Sequence, residues 1–105
     1  ISIHQNTFSD SQYSGAQVFY AKDADSKILA QSVQSALVSF LNPDSKRKIK
    51  PSHGIYLMQN ITKTGILIEC GFLTNPQEEA KLRSQSYQQK LVCVIGVCLA
   101  NHLEQ

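Results

Sequence analysis

The sequence has no run of about 18 apolar residues, so no segment reads as a membrane-spanning helix. It has no HExxH, no CxxC and no second histidine at ligand spacing, so a zinc site cannot be argued from spacing. It has no basic stripe with interleaved aromatics, and a net charge of +2 points to no nucleic-acid partner. Its three cysteines cannot form a fully paired disulfide set. Cys93 and Cys98 lie on one expected helix with backbones on the order of 8 Å apart, too far for a bridge. All three are expected to behave as small buried hydrophobes. There is no internal repeat, low-complexity tract or linker, and no signal-peptide pattern.

What is present is ordinary globular composition, with 42% apolar and 17% charged residues in a chain of 105, enough for one small domain. Ile1 to His4 alternates like a strand already under way, which raises the expectation that an N-terminal part of the domain lies upstream. His4 falls at the strand's end, before a polar loop from Gln5 to Ser14. Gly15 to Ala21 reads as a second strand. Helix-start residues at Asp23 to Asp25 precede Leu29, Val33, Ala36, Leu37, Phe40 and Leu41 at helical spacing, and Asn42-Pro43 stops that helix. Gly54 to Met58 is a short apolar run, expected as a strand or an extended edge. Ile66-Leu67-Ile68 runs on into Glu69-Cys70-Gly71-Phe72-Leu73 without alternation, as in a parallel strand covered on both faces.

Asn75 with Pro76 and Glu78 has the form of a capping box. Residues 86–104 form a last helix with Tyr87, Leu91, Val94, Ile95, Cys98 and His102 on one side. Val92, Val97 and Leu99 broaden that face, and heavy burial is expected. His102, in its last turn, reads as structural. Alternating strands and helices imply an α/β class: a three-layer α/β/α sandwich with a mostly parallel sheet.

Glu69 is the most informative residue. A carboxylate in an apolar run must be paired, reach solvent at a strand end, take up a proton, or be used. The pattern alone leaves a structural and a catalytic Glu69 both open. Gly71 beside it allows the backbone to turn sharply. His4 is either an ordinary polar residue at a strand end or a metal ligand. Cys70 with His53 permits a Cys–His nucleophile, although a buried thiol without a cationic neighbour is inert. The cluster Lys46-Arg47-Lys48 with Lys50 is either a solvated loop or a rim that attracts an anionic substrate.

Three segments resemble one known family in order. Ser2-Ile3-His4-Gln5-Asn6 resembles the "SIHxN" motif of the zinc amidases of the amidase-3 family. Gly15 to Tyr20 is similar to the strand that follows it. Gly65-Ile66-Leu67-Ile68-Glu69-Cys70-Gly71-Phe72-Leu73-Thr74-Asn75 closely resembles "PALLVEVGFLSN". Glu78, Leu82, Tyr87, Gln88 and Lys90 then follow the family's tail. Gly65 and Cys70 stand where the family has Pro and Val. The resemblance covers essentially the whole chain as a single, partial catalytic domain, and is nearest to the germination-specific amidases.

The resemblance implies an N-acetylmuramoyl-L-alanine amidase that acts on peptidoglycan of the cell wall or spore cortex, outside the cytoplasm. It implies a Zn2+ cofactor with His4 as one ligand and Glu69 as the catalytic carboxylate. The family's other His and Glu ligands belong to upstream motifs, so the site within this segment is expected to be incomplete and the segment inactive alone. A non-catalytic peptidoglycan- or partner-binding relative and a Cys–His hydrolase are the competing expectations. No regulatory partner can be named.

Overall fold

The computed structural model describes residues 1–104, with the side chains of Tyr56 and Leu57 outside the description. In chain order the elements are β1 (Ser2–Asn6), β2 (Gln17–Tyr20), α1 (Ala24–Phe40), β3 (Lys50–Pro51), α2 (Tyr56–Asn60), β4 (Ile66–Phe72), α3 (Pro76–Arg83) and α4 (Gln85–Leu103). The strands form one sheet in the order β1-β4-β2-β3. β1 runs parallel to β4 and β2 parallel to β3, whereas β2 and β4 are antiparallel. The α/β class therefore holds, with two of three pairings parallel. Pro51 lies in the edge strand β3, where a missing N–H costs no ladder bond to a further strand.

One core joins the sheet to three helices. Val18, Ile66, Ile68 and Cys70 meet Leu29, Val33 and Leu37 of α1, Leu82 of α3, and Leu91, Ile95 and Cys98 of α4. Strand alternation sends Leu67 and Glu69 to the other face of β4. α1 starts where Asp23 caps it: its carboxylate accepts from the Ser26 amide at 2.9 Å. The buried Gln34 of α1 acts like a short piece of strand. Its Oε1 accepts from the Val18 amide at 2.8 Å, and its Nε2 donates to the Ala16 carbonyl at 3.1 Å. At the opposite end of the molecule, Asp25 accepts from Thr64 at 2.7 Å and pairs with His102 at 3.0 Å. The Thr64 hydroxyl, and then His102, hold the Asp25 carboxyl below the usual range.

Several expectations are corrected. The run Gly54–Met58 is not a strand: residues from Tyr56 are helical, as short apolar runs allow. The last helix is less buried than its composition implies. Val92 is 69% and Val97 60% exposed, because α4 packs along the Leu91–Ile95–Cys98 stripe only. Cys93 is exposed on that open side and is not a buried hydrophobe. Phe40 is exposed at the end of α1, where no core residue covers it.

Glu78 does not close a capping box. Asn75 Oδ1 does accept from the Gln77 and Glu78 amides, but the Glu78 carboxylate turns elsewhere. Its Oε1 accepts from the Gly15 amide at 2.6 Å and the Phe72 amide at 3.3 Å, tying the loop before β2 to the end of β4. Gly71 turns nothing; it lies within β4 and its φ is not positive. It is needed for space, since a Cβ there would stand 3.0 Å from Glu78 Oε1 and 3.3 Å from Leu82. The departure at Gly65 also has a reason. Its N–H donates to the buried Ser26 hydroxyl at 2.8 Å, a bond that proline could not make.

Candidate active site

The register of the sheet brings the two foremost candidates together. His4 of β1 pairs with Glu69 of β4, and Glu69 pairs on its other side with Gln17 of β2. Residues directly opposite one another across a ladder share a face. His4, Glu69 and Gln17 therefore form a row across three strands, on the face away from the main core. β1 shifts register between His4 and Asn6, so the row sits where the β1–β4 ladder becomes irregular.

The electrostatics of the row follow from burial. Glu69 is half-buried, and its Oε2 is shielded from solvent with no hydrogen-bond partner among the described residues. Burial pushes the Glu69 carboxyl above the ordinary value of 4.5, and the nearby His4 draws it partly back. An orphaned carboxylate oxygen with a raised pKa is a proton acceptor awaiting a donor. His4 is exposed, and one of its ring nitrogens, Nε2, meets the Ser2 hydroxyl at 2.8 Å. Such a contact orients an imidazole in the way that supporting hydrogen bonds orient metal-ligating histidines.

An exposed, oriented imidazole beside a carboxylate with an unused oxygen fits the rim of a zinc centre. Among the described residues no group of three or more His, Cys, Asp or Glu side chains converges.

Cys70 and His53 are not brought together as a nucleophile and its base. Cys70 points into the core with Ile68 and Leu82, and burial, then Glu69, pushes its thiol up to about 11. A thiol of that kind holds almost no thiolate at neutral pH. His53 is exposed on the loop after β3, whereas Cys70 is buried within β4. The Cys–His reading is therefore corrected. Gln17 is a member of the row that sequence reasoning passed over. Its signal was a polar side chain inside the otherwise apolar Ala16-Gln17-Val18-Phe19, where it is 3% exposed.

Comparison with known proteins gives a consistent result. A family model described as N-acetylmuramoyl-L-alanine amidase matches residues 1–101. The germination-specific N-acetylmuramoyl-L-alanine amidase of Bacillus subtilis (strain 168) is 47% identical over 96 residues, covering 90% of this chain and 40% of that protein. The CwlD amidase of Clostridioides difficile, solved in complex with the GerS lipoprotein, superposes with a TM-score of 0.92 at 39% identity. That match covers 98% of this chain and 53% of CwlD. An N-acetylmuramoyl-L-alanine amidase from Clostridium difficile 630 gives a TM-score of 0.86 at 34% identity, covering 99% of this chain and 56% of that one. The chain thus spans about half the length of these relatives. Among the described residues no helix is long and apolar enough to cross a membrane. With the His4–Glu69 row lying inside a match that runs through the whole fold, the chain belongs to the amidase-3 family of N-acetylmuramoyl-L-alanine amidases.

Proposed function

We propose that this chain is the part of a zinc-dependent N-acetylmuramoyl-L-alanine amidase that carries the proton-shuttling carboxylate, Glu69, and one metal ligand, His4. The bond cut is the amide between the lactyl group of N-acetylmuramic acid and L-alanine of the stem peptide. The observation that carries this reading is the orphaned Oε2 of Glu69 beside an oriented His4. Glu69 accepts a proton from the attacking water and returns it to the nitrogen of the leaving amine. The apolar surroundings that raise its pKa suit both halves of that transfer, because the acid form must exist long enough to donate. His4 would hold the metal through its imidazole, with Ser2 fixing the ring. A bound zinc supplies Lewis acidity, polarising a carbonyl oxygen and acidifying water.

Family membership and the likeness to a germination-specific relative support peptidoglycan of the wall or spore cortex as the substrate, met outside the cytoplasm. The test is made on the complete amidase polypeptide that carries this segment, with purified peptidoglycan. Release of stem peptides that stops with a chelator, and not with a thiol-alkylating reagent, is the expected result. Binding without release would replace the reading with that of a non-catalytic wall-binding relative.

A further inference from the structure

The basic loop between α1 and β3 contains one cation unlike the rest. Lys46, Lys48 and Lys50 are exposed, whereas Arg47 is half-buried and held. Its Nε donates to the Ser14 carbonyl at 2.7 Å and its Nη1 to Gln17 Oε1 at 3.3 Å. Its guanidinium lies over the Phe72 ring, 4.8 Å from the centroid, and 5.9 Å from that of Tyr13. Gln17 is clamped in turn, because its side-chain amide donates to the Lys48 carbonyl. Gln17 is also the residue paired with Glu69 across the sheet. Arg47 is therefore fixed, through one side chain, to the strand position opposite the catalytic carboxylate.

Arg47 has no carboxylate partner among the described residues; their two ion pairs are Arg83–Glu79 and His102–Asp25. The nearby Glu78 spends its Oε1 on two backbone amides. A guanidinium has five N–H donors, and two have protein acceptors among the described residues, which leaves three for a ligand. It borders an open groove of about 980 Å³ that reaches the row through Gln17. Five cations and two carboxylates line that groove, so it attracts an anion.

We propose that Arg47 is the anchor for a carboxylate of the peptide on the leaving-amine side of the scissile bond. This rests on the amidase reading above. In an N-acetylmuramoyl amide the lactyl carboxyl is consumed in the bond to be cut, so the glycan offers no anion there, and the carboxylate must come from the peptide. A rigid, stacked guanidinium binds a carboxylate with two parallel hydrogen bonds, which a lysine cannot reproduce. The exposed Lys46, Lys48 and Lys50 supply the attracting field and Arg47 supplies the geometry.

The test uses the complete amidase and two muramoyl-L-alanyl peptides that differ at one group: a free carboxylate on the residue after alanine, or its carboxamide. The wild type is expected to favour the carboxylate by about tenfold or more in kcat/KM, chiefly through KM. Arg47→Ala is expected to erase most of that preference, and Arg47→Lys to restore part of it. Equal turnover of both peptides by the wild type overturns the proposal. So does an Arg47→Ala loss of the same factor on both, which would make Arg47 only a brace for the loop. Should Arg47→Ala fail to fold, the wild-type preference and the Arg47→Lys split still decide. Wild-type enzyme that cleaves neither peptide overturns the amidase reading itself, a result distinct from equal cleavage of both.

Discussion

His4 and Glu69 face each other in register across two parallel strands, separated in sequence by the whole of β2, α1, β3 and α2. The ladder holds those two side chains on one face of the sheet. Glu69 keeps an oxygen without a hydrogen-bond partner among the described residues, while His4 is steadied by Ser2.

The free oxygen has a thermodynamic signature. Burial raises the Glu69 pKa in the folded state, so the folded chain binds that proton more tightly than the unfolded chain does. This contribution to stability is present in full below the unfolded value near 4.5 and is lost as pH rises through the raised value. Glu69→Gln should therefore be more stable than wild type at neutral pH. The gap should close below about pH 4. Thermal melts of both proteins from pH 3 to 8 measure it, and a gap that widens in acid would contradict it.

Glu78 is a structural carboxylate, and its loss should behave differently. Glu78→Ala leaves the Gly15 and Phe72 amides without their acceptor and should cost roughly 2–4 kcal/mol. Glu78→Gln keeps an acceptor oxygen and should cost less than half as much. Urea midpoints give the comparison, and equal midpoints for wild type and Glu78→Ala would contradict it.

The cysteines should separate by exposure. Cys93 is exposed, while Cys70 and Cys98 are buried. Brief alkylation of the native protein should modify Cys93 alone, with the other two reacting after unfolding. Peptide mapping reads the pattern. Native labelling of Cys70 would contradict the core position assigned to it.

Much of this was legible because local patterns carried it. Helical spacing marked α1, the apolar run marked β4, and Asn75-Pro76 marked the start of α3. What was missed is non-local. Nothing in Gly15 to Ala21 says that β2 runs antiparallel to β4 and sets Gln17 beside Glu69, because pairing partners lie far apart in sequence. Glu78 had a local rule, the capping box, and a distant partner, the Gly15 amide, took it instead. Val92 and Val97 show that apolar side chains on a helix do not say which of them a neighbour will cover. For the site, pattern alone left Glu69 undecided, and the expectation of a catalytic role came only with the resemblance carried by three motifs in order. The geometry adds the free oxygen and the company of His4.

The central claim concerns Glu69 as the proton shuttle. It is tested most directly by Glu69→Gln in the complete amidase, with peptide release and zinc content measured on the same sample. The account predicts a loss of hydrolysis of about a hundredfold or more with zinc content unchanged. Turnover near the wild-type rate would contradict it.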